Sequence, residues 1–336
     1  MDDRYSRQTL FKPIGLQGQQ LLADKHLLIV GAGALGTANA EALVRSGVGY
    51  VTIVDRDYVE ASNLQRQQLY TEQDAVDRLP KAVAIEQRLK AINSTVDITG
   101  IVIDITAETL VPLVQQVDLI IDATDNFDVR LLINDVAQKY NIPWIYGSCV
   151  ASTGMSYTII PGKTPCLQCL LGAAPMSGAT CDTAGIITPV VQMVAAHQTA
   201  ETLKILSGNQ DVCRDTYVTF DLWNNSYLTF NPTAARKKDC QSCGQSPTYP
   251  SLKYDRQTKT EVLCGRDTVQ IRAQQQVSLG ALAEKLAVVG EVKKNPYLVS
   301  VELDQYRVVF FKDGRAFVHG TNNIEEAKTV YYRLKG

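Results

Sequence analysis

The chain has 336 residues, 45% of them apolar, and a formal charge of −2. That length suits one large domain plus a small one, or two modest ones. The near-balanced charge argues against nucleic-acid binding through a whole-protein positive field, though not against a local basic patch.

The first stretch, "MDDRYSRQTLFKPIG", has no apolar signal core and shows no clear helical or strand period. No run approaches the ~18 apolar residues of a membrane span. A soluble, cytoplasmic protein with no membrane partner is expected. Residues 26–55, "HLLIVGAGALGTANAEALVRSGVGYVTIVD", alternate strand, glycine turn, helix and strand. Helical spacing over 79–93 leads to a strand over 96–104, and a helix over 107–117 leads to "DLIIDATD" (118–125). One more helix precedes "IPWIYGSCV". Strands alternating with helices predict an α/β fold: a Rossmann-like, mostly parallel, doubly wound sheet.

After residue 150 the pattern changes. "GMSYTIIPG" reads as an antiparallel strand, and the Gly/Ala/Ser-rich 172–185 as a mobile loop. A helix follows over 189–208 and ends at a glycine. "DTYVTFDLWNNSYLTFNPT" reads as a hairpin. "CGQSPTYPSLKYDRQTKTE" is the linker candidate, which divides the chain into domains 1–247 and 248–336. The second is small and α+β, with the pattern β-α-β-β-α; "YRVVFFKDGRAFVHG" counts as one of its strands.

Gly31, Gly33 and Gly36 have the G-x-G-x-x-G spacing between a strand and a helix. Such a turn lets a backbone approach a phosphate at a helix N-terminus. Asp55 follows Gly31 by 24 residues, where a carboxylate accepts from ribose hydroxyls. A tight turn without ligand, and a plain turn-forming Asp55, are the bland alternatives. The segment after Asp55, "DRDYVEASNLQRQQLY", crowds Asn63, Arg66 and Gln67 together, with Lys81 close behind. Cations and amides suit a triphosphate better than a bridging pyrophosphate. The chain's three histidines, His26, His197 and His319, sit where none serves a dehydrogenase, which makes hydride transfer the weakest reading.

Eight cysteines in a chain of this kind read as metal ligands or catalytic thiols rather than disulfides. Cys166-x-x-Cys169 and Cys240-x-x-Cys243 are two knuckles 70 residues apart. Two C-x-x-C pairs match a closed, structural zinc site with four thiolate ligands; redox pairs or unrelated thiols are the alternative. Cys149 reads as core, and Cys213 and Cys264 have no partner pattern.

The motifs "RYSRQ", "GAGALGT", "VDRDYVEASNLQRQ", "PKA", "DATDN", "CLQC", "TCDTAGI" and "CQSC" occur in the order found in the ubiquitin-activating-like adenylyltransferases. The chain is most similar to the MoeB/ThiF type, which activates sulfur-carrier proteins for molybdopterin and thiazole synthesis. The resemblance covers residues 1 to about 245, with Ala34 where many relatives have glycine. It implies a homodimer that adenylates the C-terminal Gly-Gly of a ubiquitin-like sulfur carrier and releases pyrophosphate. ATP would lie with Asp55 on its ribose and Gly33 near its α-phosphate. Asn63, Arg66 and Lys81 would contact the phosphates, Asp125 would help hold Mg2+, and Arg7 would reach in from the other subunit. Cys181, in the 172–185 loop, matches a cysteine that the thiazole branch links covalently to the carrier; a loop cysteine without function is the alternative. No sulfur-transfer domain is recognisable, so a separate sulfur donor protein is implied. Two rivals are adenylation of another carboxylate, such as a modified tRNA base, and a non-catalytic scaffold for a ubiquitin-like protein. No nucleic-acid partner is expected.

Overall fold

Five apolar runs pair as parallel strands: β1 (His26–Val30), β2 (Tyr50–Asp55), β3 (Asp97–Val102), β4 (Leu119–Asp122) and β5 (Trp144–Val150). The computed structural model describes residues 3–171, 184–253, 260–263, 267–272 and 276–335. The central strands β1 and β4 are nearly unbroken Leu/Ile/Val because helices cover both faces of a parallel sheet. Three antiparallel strands extend it: β6 (Thr153–Ile159), β7 (Tyr217–Asp221) and β8 (Ser226–Phe230). The order is β3-β2-β1-β4-β5-β6-β7-β8. The chain reverses direction across the sheet between β1 and β4. Open α/β sheets take ligands in the crevice outside the strand carboxyl ends at that point.

The helices of this unit are α1 (Ser6–Thr9), α2 (Gly15–Ala23), α3 (Ala34–Arg45), α4 (Glu72–Val76), α5 (Lys81–Ile92), α6 (Ala107–Leu113), α7 (Phe127–Tyr140), α8 (Leu167–Leu170), α9 (Thr188–Leu206) and α10 (Pro250–Lys253). Local chemistry sets their ends. The Asn126 side chain accepts from the amides of Asp128 and Val129 to start α7, and Asn141 in the left-handed region (φ 55°) stops it. Gly208, at φ 87°, follows α9. Leu132, Ile133 and Val136 of α7 pack with Trp144 and Tyr157 in one core. The N-terminal segment is helical although its sequence shows no period. The buried face of α2 is Gly18, Gln19 and Leu22, so small and polar contacts replace an apolar stripe.

The chain divides into two compact units, Met1–Val76 with Pro80–Tyr254, and Asp77–Leu79 with Asp255–Gly336. The second unit holds an antiparallel sheet in the order β11-β12-β13-β14-β10-β9. Its strands are β9 (Thr260–Val262), β10 (Thr268–Ile271), β11 (Glu291–Lys294), β12 (Leu298–Glu302), β13 (Arg307–Phe311) and β14 (Ala316–His319). Helices α11 (Leu279–Leu286) and α12 (Ile324–Lys335) share a core with Val301, Phe310 and Val318. The stretch expected as one strand is two, β13 and β14, turned at Asp313-Gly314 with Gly314 at φ 93°. Two strands escape the sequence pattern: β9 is three residues long, and β11, "EVKK", is polar.

Candidate nucleotide site and cysteine cluster

The three glycines of the β1–α3 turn do different things. A Cβ on Gly31 (φ 101°) would lie 2.5 Å from the Ala123 carbonyl oxygen, and one on Gly36 2.0 Å from the Gly31 carbonyl oxygen. Those two let turn, helix and β4 approach closely. Gly33 caps α3, and among the described residues beyond its chain neighbours a Cβ there would meet only the Gln67 Nε2, at 3.8 Å. Its face is open, and the first N–H groups of α3 have no partner inside the helix.

Asp55, at the end of β2, braces this turn. Its Oδ2 accepts from the Ala32 amide and its Oδ1 from the Asp57 amide, each at 2.7 Å. Two carboxylate oxygens retain lone pairs after those bonds. The buried Tyr70 hydroxyl donates to the Ala32 carbonyl at 2.6 Å. Burial, with Asp55, Asp57 and Asp74 adding to it, pushes that phenol well above its ordinary range and keeps it a donor. Lys81 opens α5 and is 3% exposed; its Nζ donates to Asp57 Oδ2 at 2.9 Å. Asn63 is also buried, its Oδ1 taking the Glu60 amide at 3.1 Å in a reciprocal cap. Arg66, half-buried, donates to the Ser62 carbonyl. The fold thus gathers Gly31, Gly33, Gly36, Asp55, Asn63, Arg66 and Lys81 at the carboxyl ends of β1 and β2. Thr188, which opens α9, ties the polar segment down by donating to the Gln65 carbonyl at 2.9 Å.

Asp125 follows β4 and is exposed, with no hydrogen-bond partner among the described residues. An unshared carboxylate at a strand end fits a hard cation such as Mg2+. Asp122, not among the expected site residues, is fully buried at the end of β4. It accepts from the Thr124 amide and hydroxyl, each at 2.9 Å, and from Arg130 Nε at 3.0 Å. Arg130 also donates to the carbonyls of Thr124 and Gly147, at 2.7 and 3.3 Å, and lies over the Tyr146 ring. Burial pushes the Asp122 carboxyl up, against the pull of Arg130 and Thr124. The available signal was an acid closing a wholly apolar strand with an arginine eight residues later. Gln198, fully buried in α9, completes the frame. It accepts from Asn39 at 2.8 Å and donates to the Asp122 carbonyl at 2.7 Å.

Arg7 is not brought to this site within its own chain. It is exposed on α1, beside Gln8, which donates to the Ser46 carbonyl at the far end of α3. Twelve helical residues separate that end from Gly33, about 18 Å. Cys181 lies outside the described residues.

The four knuckle cysteines converge. Their sulfurs lie within 4.8 Å of one another, Cys166 and Cys240 at 3.6 Å and Cys169 and Cys243 at 3.5 Å. Tetrahedral zinc–thiolate bonds of about 2.3 Å require sulfur separations of about 3.8 Å, so the donor set fits. Backbone amides of Lys237 and Ser242 point at the sulfurs of Cys169 and Cys240. Hydrogen bonding between Cys166 and Cys243 pulls the Cys243 thiol down and, together with burial, pushes the Cys166 thiol up. Adjacent residues of α7 anchor both knuckles: Asn134 Oδ1 accepts the Leu167 amide at 2.8 Å, and Asp135 accepts the Ser242 hydroxyl and the Ser251 amide.

Residues 5–242 match the model of the ThiF family. The chain is 52% identical to the sulfur carrier protein ThiS adenylyltransferase of Bacillus subtilis, over all of both chains. It is 36% identical to the protein of that name from Escherichia coli, over 74% of this chain and 97% of that one. A crystal structure of E. coli MccB with ATP shares the fold, with a TM-score of 0.63 and 23% identity over 73% of this chain and 75% of that one. With its family model spanning the whole nucleotide site and a relative matched end to end, the chain belongs to the ThiF family and is an adenylyltransferase.

Proposed function

We propose that the enzyme adenylates the C-terminal glycine carboxylate of a ubiquitin-like sulfur-carrier protein, in the thiazole branch rather than the molybdopterin branch. The observation that carries this is the full-length, 52% identical relative whose name specifies that carrier. ATP binds with its ribose on Asp55 and its α-phosphate over the open face of Gly33, against the α3 N-terminus. Asn63, Arg66 and Lys81 surround the phosphates. The Lys81–Asp57 pair at 2.9 Å gives the buried lysine an acidic partner and fixes its position. Mg2+, held with the help of Asp125, supplies charge neutralisation to the phosphates.

The reaction needs no general base. A carboxylate oxygen of the carrier forms a bond to the α-phosphorus. The bond from that phosphorus to the oxygen bridging to the β-phosphate breaks, its electrons leaving with pyrophosphate. Catalysis is alignment and charge neutralisation. The low dielectric around Asn63 and Lys81, both almost fully buried, strengthens their pull on phosphate.

Arg7 acts from the second subunit of a homodimer. Its distance from Gly33 in its own chain supports this, as do the exposed apolar side chains of Leu10, Phe11 and Leu16 beside it. Zinc occupies the cysteine cluster as a structural ion. Cys181 links covalently to the activated carrier, and a separate protein donates the sulfur. The nucleotide domain, expected over 1–247, takes in α10 as well, and the second unit serves carrier docking or dimer support. ATP–pyrophosphate exchange with carriers ending in Gly-Gly tests the reading. Exchange with none of them overturns it.

A further inference from the structure

Gln67 carries an unspent hydrogen-bonding group at the mouth of the glycine turn. Its side chain is 3% exposed, and the carboxamide makes no hydrogen bond among the described residues, with Oε1 wholly buried. Backbone bonds hold the residue in place: its amide donates to the Asn63 carbonyl at 3.0 Å, and its carbonyl accepts from Tyr70 at 3.2 Å. A buried amide left unpaired is costly to a fold. The other end of the group, Nε2, lies 3.8 Å from the position a Gly33 Cβ would take, and chain neighbours aside no other atom of the described residues comes within 4 Å of it. The carboxamide therefore borders the same small volume as the first N–H groups of α3, which have no partner inside the helix and no side-chain cap among the described residues. Donors that converge in this way form an anion site.

We propose that Gln67 is a catalytic residue whose Nε2 donates to a non-bridging oxygen of the ATP α-phosphate, a bond that shortens as charge builds on that oxygen during attack. The inference rests on the adenylation reading above and assigns the donor opposite the α3 N-terminus. Arg66 and Lys81 bring full charges, each already engaged, at 2.9 Å with the Ser62 carbonyl and with Asp57 respectively. Gln67 brings a neutral donor with no competing partner among the described residues. A donor that matters most in the transition state changes kcat more than KM.

The test is Gln67→Met, which keeps the length and apolar stem and removes the donor. The apo protein should melt at the wild-type temperature or above, since an unpaired buried amide is gone. ATP–pyrophosphate exchange with the carrier should fall about tenfold to a hundredfold, mainly in kcat. Gln67→Glu, which presents oxygen at both ends, should fall further by repelling phosphate. Gln67→Asn, which withdraws the amide by one methylene, should lose activity like Gln67→Met and serves if the methionine variant folds poorly. Wild-type exchange in Gln67→Met or Gln67→Asn overturns the proposal. So does a lowered melting temperature with unchanged exchange per folded molecule, the result expected of a purely structural amide. If the wild-type enzyme shows neither exchange nor stabilisation by ATP, the adenylation reading fails first, and the two failures are told apart.

Discussion

Arg130 reaches back from the first turn of α7 to Asp122, its Nε 3.0 Å from a carboxylate with no exposed surface. The same guanidinium bonds carbonyls on the β4 and β5 sides, at Thr124 and Gly147. One side chain thus fixes the loop that presents Asp125. Arg130→Met should strand the Asp122 charge and cost about 3–5 kcal/mol at neutral pH. Burial already holds the Asp122 carboxyl above its ordinary value, and losing the Arg130 charge raises it further. A carboxyl raised in the folded state weighs against folding when ionised, and that penalty is relieved as pH falls through its folded value. The deficit of the variant against wild type should therefore shrink in acid. Asp122→Asn on top of Arg130→Met should recover part of it. Denaturant unfolding at several pH values decides, and a deficit that grows in acid refutes the ionised pair.

The cysteine cluster should hold one zinc per chain. Cys166→Ser or Cys243→Ser should lower metal content and stability together, because zinc in small peptides contributes roughly 10–16 kcal/mol to folding. Asp135→Ala should act on the same site at one remove, since its carboxylate holds Ser242, inside the second knuckle, at 2.5 Å and the Ser251 amide at 2.8 Å. Removing that anchor should loosen zinc about 10- to 100-fold. Elemental analysis and competition with a chromogenic chelator measure both. Protein purified without chelators and free of zinc would end the assignment.

Much of this site is legible in the chain itself. G-x-G-x-x-G between a strand and a helix locates the turn, and two C-x-x-C knuckles announce the cluster across 70 residues. What stays hidden depends on tertiary geometry. The arginine eight residues after Asp122 is a faint local hint, but only packing shows that Asp122 is spent on Arg130 while Asp125, three residues on, is left exposed. Gln198 looks like an ordinary mid-helix amide until β4 and β5 close over it. The helical N-terminal segment carries little signal because α1 is one turn long with no buried side chain, and α2 buries Leu22 alone among apolar residues, beside Gly18 and Gln19. In the second unit, β11 is polar and β9 too short for a period-2 signal to register.

Asp125→Ala should abolish ATP–pyrophosphate exchange and leave stability within about 0.5 kcal/mol of wild type, because the side chain is exposed and unbonded. Asp122→Ala should lose both, since it unseats Arg130. Comparing the two by thermal melting and exchange separates a cation ligand from a structural acid. Full exchange in Asp125→Ala, with a carrier confirmed as substrate, would refute its role.

The last prediction concerns Arg7. Its α1 neighbour Gln8 is bonded to Ser46, and the Tyr5 hydroxyl accepts from Asn93 at 2.8 Å, so the segment is pinned at the far end of α3 and α5. About 18 Å of helix separates it from Gly33, farther than an arginine side chain reaches. An Arg7 that serves the phosphates therefore serves those of the other subunit. Arg7→Ala and Asp125→Ala should each be nearly inactive as pure dimers. After unfolding and refolding together, random pairing makes about half of the dimers mixed, as two-fold symmetry requires. In a mixed dimer, the site built on the Arg7→Ala chain keeps its own Asp125 and receives Arg7 from its partner, while the other site lacks both. One good site of two, in half of the dimers, returns roughly a quarter of wild-type exchange. Were Arg7 to act within its own chain, every site would lack one group and mixing would restore nothing. No recovery, with mixed dimers shown to form, would leave Arg7 as a surface residue of α1.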